Sequence, residues 1–334
     1  MICGLNCDPA HFEDYDVLAR DLKAAGATMA RFPLVDAADP RIYGAFSDAL
    51  LLHGLQPLPV YARESQLAGV THGESLGWWC GYLSNVTHWQ IGNEADHQSP
   101  SSWTMTESGF SKLLRDARKF LHPGSFIIAG AMVSGHPEYL DGVDLGPVDG
   151  LAAHPYGQRV NGLPFKAWGF GEFSDLIERY KRFGKPIWIT ECGGPIRDFR
   201  SQAERAVYYA TLVSAAAESG CAGVLPFKYE DEGVPGFGMR GTPALEAFRQ
   251  ASTTMQASGT AKSGSRHGNG LDEGGPMKLE EVANKHGGLY SPAVVLGGTK
   301  AKPTARIGWV NDTANGFVLE INGEAADAVY APKA

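Results

Sequence analysis

Between residues 1 and 250 the chain alternates two kinds of segment. Short apolar runs occupy residues 2–6, 28–34, 56–61, 88–93, 125–132, 150–154, 186–190 and 222–227. Runs of this length, bounded by turn residues, read as buried strands. Between them, segments with helical apolar spacing lie at 15–25, 40–53, 74–83, 107–121, 173–183, 203–219 and 243–250. Gly26, Gly54, Gly184 and Gly220 each follow such a segment, where a left-handed residue closes a helix. Strands alternating with helices or helix-sized connections predict a parallel sheet. Eight units over about 250 residues suit an α/β fold of the (β/α)8 TIM barrel type better than an open doubly wound sheet. The doubly wound alternative wants a glycine-rich phosphate turn after its first strand, and Cys3-Gly-Leu-Asn-Cys-Asp8 has none.

Beyond residue 250 the pattern changes. Residues 258–275 are rich in Gly, Ser and polar side chains, which reads as a flexible linker. A short helix is expected at 277–286, then strands at 305–310 and 316–321 with Asn311-Asp312 and Asn315-Gly316 between them. The expected organisation is a barrel over 1–252, a linker over 253–275 and a small β-rich module over 276–334. Such a module buries little core of its own, which suits docking to a larger assembly such as a cell surface or virion.

Composition narrows the partners. The chain is 43% hydrophobic and 20% charged, as expected of a globular protein with a sizeable core, and its net charge is −8. An acidic balance disfavours nucleic acid and anionic membranes. No apolar stretch reaches the length of a membrane span. Met1-Ile-Cys-Gly-Leu-Asn-Cys7 lacks the features of a signal peptide and reads as a core strand, so a cytoplasmic, released or virion-associated protein is expected. Five cysteines are scattered at no metal-binding spacing, and neither a structural disulfide, a metal nor another cofactor is expected.

The chemistry concentrates at strand ends, where a barrel of this kind builds its site. These positions hold Asn6 and Asp8, Arg31, Tyr61 and Arg63, Asn93 and Glu94, Ser134 and His136, His154 and Tyr156, Glu191, and Lys228 with Glu230. Two carboxylates stand out. Glu94 ends His88-Trp-Gln-Ile-Gly-Asn-Glu94, and Glu191 ends the apolar run of Lys185-Pro-Ile-Trp-Ile-Thr-Glu-Cys-Gly-Gly-Pro195. Strand alternation places Met29 below Arg31, Gln90 and Gly92 below Glu94, Ala152 and His154 below Tyr156, and Ile187 and Ile189 below Glu191.

Asn93-Glu94 on the fourth strand and Thr190-Glu191 on the seventh resemble the retaining glycoside hydrolases of clan A. Arg31 resembles that clan's second-strand arginine, which orients the nucleophile. His154-Pro-Tyr156 resembles the sixth-strand segment whose aromatic hydroxyl approaches the nucleophile. The resemblance covers residues 1 to 250, names no family within the clan, and leaves the tail unaccounted for. It implies a hydrolase cleaving a β-linked oligosaccharide or polysaccharide, with Glu94 as general acid/base and Glu191 as nucleophile. Retention needs the two carboxyl groups roughly 5–5.5 Å apart, with the acid protonated near neutral pH. Asn93 would then hold the sugar's 2-hydroxyl, and Trp103, Trp168 and Phe170 would offer stacking faces. Where many clan members place tryptophan after the eighth strand, this chain has Pro226-Phe-Lys-Tyr229, so Lys228 implies an altered or charged subsite. Two other readings use the same residues: a carbohydrate-binding barrel that does not cleave, and a transglycosidase.

Overall fold

The computed structural model describes residues 1–96, 104–132, 137–232 and 234–263, together with five short strands between residues 294 and 330. The chain divides into two compact units, Met1–Ser265 and Arg266–Ala334. In the first, eight parallel strands close on themselves: β1 (Ile2–Asn6), β2 (Met29–Pro33), β3 (Gln56–Tyr61), β4 (His88–Ile91), β5 (Phe126–Ala129), β6 (Gly150–Ala153), β7 (Ile187–Ile189) and β8 (Gly223–Val224). The ring is sealed by β1 on β8, with Ile2 opposite Gly223 and Cys3 opposite Val224. The expected (β/α)8 barrel is therefore present.

Helices α1 (Tyr15–Ala24), α2 (Pro40–Leu52), α3 (His72–Tyr82), α4 (Glu107–Phe120), α5 (Phe173–Lys181), α6 (Gln202–Glu218) and α7 (Pro243–Ser263) fill the connections. Between β5 and β6 the described helical segment is a 3-10 turn, Pro137–Gly142. Polar side chains start the helices: Asp14 accepts from Val17 N–H, Thr106 from Gly109 N–H, and Thr71 with Glu74 forms a reciprocal capping box. The glycines after α1, α2, α5 and α6 all hold positive φ, as their positions predict. Helix α7 runs past the expected end at 250 and into the segment read as linker. The apolar spacing fades there, but no proline intervenes, and Gln256 Nε2 donates to Gly26 O at 3.0 Å, tying the helix to the end of α1.

Two prolines sit inside β3, where a missing N–H normally breaks a ladder. Gln56 N–H bonds toward β2 and Tyr61 O toward β4, so Pro57 and Pro59 turn their nitrogens toward β4. The β3–β4 register begins only at Val60–Gln90, beyond both prolines, so the ladder with β4 is confined to the end of β3.

The core forms two clusters. The larger lies where strands meet helices, and includes Leu5, Phe32, Trp89, Ile127, Ile177, Tyr180 and Leu212. The smaller fills the barrel interior with Met29, Leu58, Ile128, Ala131, Ala152, Trp188 and Leu225. One expectation is corrected here. Ile187 and Ile189 belong to the outer cluster, and it is Trp188 that fills the lumen beneath the site. The run Ile-Trp-Ile is apolar on both faces, so its alternation does not reveal which face is inward.

In the second unit β9 (Val294–Gly298), β10 (Pro303–Val310), β11 (Gly316–Ile321), β12 (Glu324–Ala325) and β13 (Val329–Tyr330) form an antiparallel sheet. Val310 pairs opposite Gly316 at the end of the β10–β11 ladder. The helix expected at 277–286 lies outside the described residues.

Candidate active site

Glu94 reaches the mouth of the barrel through a distorted strand end. After Ile91 the chain turns at Gly92, whose φ is +85°. A Cβ at Gly92 would meet the Phe110 ring at 2.5 Å, and a Cβ at Gly130 would lie 2.1 Å from the Gly92 carbonyl oxygen. Only glycine at 130 lets the β4 end pass this close. Gly92 N–H donates to Tyr61 O and Glu94 N–H to Ala131 O, pinning the turn between β3 and β5. Glu94 itself holds φ at 50°, a region that non-glycine residues occupy rarely and at a local strain cost.

Glu191 lies just beyond β7, on a bend leading to Gly193. Arg31 Nη1 holds its Oε1 at 2.7 Å, and the Tyr156 hydroxyl donates to its Oε2 at 3.1 Å. Burial, reinforced by the Glu191 charge, raises Tyr156 well above the ordinary phenol range, so it remains a donor. His154 stands between the carboxylates: its Nδ1 is 3.1 Å from Glu94 Oε1 and 3.8 Å from Glu191 Oε2. Its Nε2 is 3.1 Å from Thr190 Oγ1. One oxygen of Glu94, one oxygen of Glu191 and one ring nitrogen of His154 all lie within 4.8 Å of each other. Among the described residues this is the one group with metal-ligand composition. It fits a cation poorly, because the Arg31 guanidinium and the Tyr156 hydroxyl already take both Glu191 oxygens.

Arg31, 5% exposed, ties the site together. Its Nε donates to Gln90 Oε1 at 2.8 Å, Nη1 to Asn6 Oδ1 at 2.6 Å, and Nη2 to Asn93 Oδ1 at 2.9 Å. Asn6 Nδ2 in turn donates to Thr190 O and Leu225 O, both at 2.8 Å, linking the closing strands. Asn6, Gln90 and Thr190 are polar residues at inward positions of otherwise apolar strands. The sequence marks them as unusual, but their partners stand up to 220 positions away in the chain.

A cleft of about 330 Å³ opens beside Glu191, lined by Asn6, Arg31, Asn93, Phe227, Lys228 and Glu230 among others. Lys228 faces it but is not a free cation: Nζ pairs with Glu230 Oε1 at 2.8 Å and also bonds Glu232 O. Burial raises the Glu230 carboxyl above its ordinary value, outweighing the hydrogen bond and charge of Lys228. The charged subsite expected at this point is thus locally neutralised. Trp168 is 60% exposed, edge-on to Phe170, and lines a small recess with Tyr156 and Gly193. Tyr61 turns away from the mouth to meet His72 at 3.1 Å, and Arg63 is exposed. Trp103, Ser134 and His136 lie outside the described residues. All five cysteines are buried and free, and no helix among the described residues is long and apolar enough to cross a membrane.

No family model and no curated protein sequence matches this chain. Solved structures do. A family 39 glycoside hydrolase from the gut symbiont Bacteroides cellulosilyticus superposes with a TM-score of 0.62 at 17% identity, over 96% of this chain and 72% of that one. A GH5_18 protein from Bifidobacterium longum superposes at 0.58 and 15% identity, over 77% and 80% of the two chains. The catalytic domain of a mannanase from Streptomyces matches at 0.51 and 16% identity, over 72% and 78%. The barrel thus has the fold of clan A glycoside hydrolases.

Proposed function

We propose that this chain is a retaining glycoside hydrolase acting on a β-linked glycan, with Glu94 as general acid/base and Glu191 as nucleophile. The observation that carries the reading is the facing pair of carboxylates: oxygens of Glu94 and Glu191 approach within 4.8 Å across the barrel mouth. Inverting enzymes need roughly 6.5–9.5 Å, to seat a water between the two groups. The fold neighbours support the same chemistry, since one is a mannanase and a variant of another was solved with Manβ1-4GlcNAc bound.

In the first step a Glu191 oxygen attacks the anomeric carbon. The bond to the leaving oxygen breaks as Glu94 gives that oxygen its proton. In the second step Glu94, now a carboxylate, takes a proton from water. The water oxygen attacks the anomeric carbon and releases Glu191, restoring the original configuration. Arg31 and Tyr156 each hold one Glu191 oxygen, which fixes its line of attack. His154 Nδ1 stands 3.1 Å from Glu94 Oε1 and its Nε2 3.1 Å from Thr190 Oγ1, so the ring is held beside the acid from both edges. Asn93 lines the cleft where it can hold the 2-hydroxyl, and the exposed Trp168 offers a stacking face beside Tyr156. Lys228, backed by Glu230, floors the opposite side of the cleft.

A panel of β-linked glycans and aryl β-glycosides, assayed with wild type, Glu191→Gln and Glu94→Gln, tests this. Glu191→Gln is expected to lose at least about a thousandfold in turnover, because the covalent route is closed. Glu94→Gln should retain activity toward good leaving groups and recover further with azide. Unchanged rates in both variants overturn the assignment. Saturable glycan binding with no turnover by wild type would favour a binding barrel, and transfer to an added sugar acceptor a transglycosidase.

A further inference from the structure

We infer that Gln90 is a positioning residue: it locks the Asn93 amide with its oxygen turned into the barrel, leaving only the NH2 group for substrate. The inference deepens the glycosidase reading, because it limits what the sugar can carry at its second carbon. The argument begins with Arg31, whose guanidinium has donors and no acceptor. All three amides that touch it, Asn6, Gln90 and Asn93, must therefore present oxygen. Gln90 Oε1 faces Arg31 Nε at 2.8 Å, and Asn93 Oδ1 faces Nη2 at 2.9 Å. With its oxygen so committed, Gln90 turns Nε2 the other way, 3.2 Å from Asn93 Oδ1 and 3.1 Å from Gly92 O. Asn93 Oδ1 thus accepts from two donors, as many as its lone pairs allow. Gln90 is fully buried, so water does not replace it.

Asn93 also lines the cleft beside Glu191, and its NH2 group donates to no side chain or carbonyl among the described residues. The group it meets on the sugar must accept a hydrogen bond. A 2-hydroxyl does; a 2-deoxy position or a 2-ammonium group does not. The geometry thus selects glycans with a neutral acceptor at the second carbon over cationic amino sugars.

Two variants share one loss and differ in everything else. Gln90→Glu keeps an oxygen for Arg31 but replaces the donor facing Asn93. Gln90→Met removes both bonds without adding charge. The substrates are 2,4-dinitrophenyl β-D-glucoside and its 2-deoxy analogue. Both variants are expected to lose about a hundredfold in kcat/KM on the glucoside and less than about threefold on the analogue. A second readout does not depend on turnover. In the full chain labelled with 15N-asparagine, the Asn93 side-chain signal, assigned by its loss in Asn93→Ala, should broaden or split in both variants while other signals stay in place. Equal losses on the two substrates, or an unaltered Asn93 signal, overturn the role. If wild type turns over neither glycoside, the spectrum still decides the role of Gln90, and the failure belongs to the hydrolase reading.

Discussion

The lower and upper halves of the barrel interior are lined by the same strands and obey different rules. Below, Met29, Leu58, Ile128, Ala152, Trp188 and Leu225 close the tube with apolar volume. Two positions further along, about 6–7 Å at the rise of a strand, Met29 gives way to Arg31, Ala152 to His154 and Trp188 to Thr190. The lower layer works by filling space, and close packing is its only requirement. The upper layer works by matching donors to acceptors, and a residue of the right size with the wrong hydrogen-bonding groups fails there. A plug of fixed shape lies under a network of fixed polarity, and the carboxylates stand on the network.

Three changes test that division. The largest effect is expected for Arg31→Met, which removes four partners of one buried guanidinium, among them Glu191. Stability should fall by about 3 kcal/mol in urea unfolding, because a largely buried carboxylate loses its partner. Turnover per folded molecule should fall about a thousandfold. A stability loss without that rate loss would mean the network merely holds the barrel together.

Trp188→Ala is the converse. It should cost about 3–5 kcal/mol, the usual penalty for emptying a large aromatic site, with kcat/KM per folded molecule kept within about tenfold. If its rate falls as far as that of Arg31→Met, the two layers are not separable. The Trp188 indole nitrogen has no hydrogen-bond partner among the described residues, so packing is what the substitution removes.

The smallest effect concerns Glu230. Burial raises its carboxyl above the ordinary 4.5. The folded chain therefore binds this proton more tightly than the unfolded chain does. The group's contribution to stability is full below pH 4.5 and declines as pH rises from there through the raised folded value. Glu230→Gln removes the titration, so the fall of stability with pH in that window should become shallower by at most about 1.4 kcal/mol per pH unit. An unchanged slope in chemical denaturation across the window would assign it to another group.

Much of the frame is visible in the sequence, because alternation of strands and helices depends on local patterns. The order of the strands and the two strand-end glutamates follow from it. The approach of Arg31 and Tyr156 to Glu191 is what the resemblance to clan A hydrolases implies, and both contacts are present. Three features do not follow from the sequence. The inward face of β7 is hidden because Ile187, Trp188 and Ile189 are apolar on both sides, and Glu191 gains the mouth only where the strand has ended. Tyr61 ends β3 at an outward position, so its place at a strand tip misleads. Lys228 looks like an unpaired charge, because its neutralisation depends on how the chain folds back two and four residues later onto Glu230 and Glu232. In each case the deciding quantity is direction in space, which a strand-end position does not specify.

The close pass of Gly92 over Gly130 has a consequence for how this sequence can change. Position 130 has no side chain to offer, yet any side chain there collides with the backbone that delivers Glu94. Drift at this site is closed to all residues but one, and a lineage that loses the glycine displaces Glu94 with it. The most silent residue of the β5 end is thus bound to the same fate as the carboxylate just beyond β4.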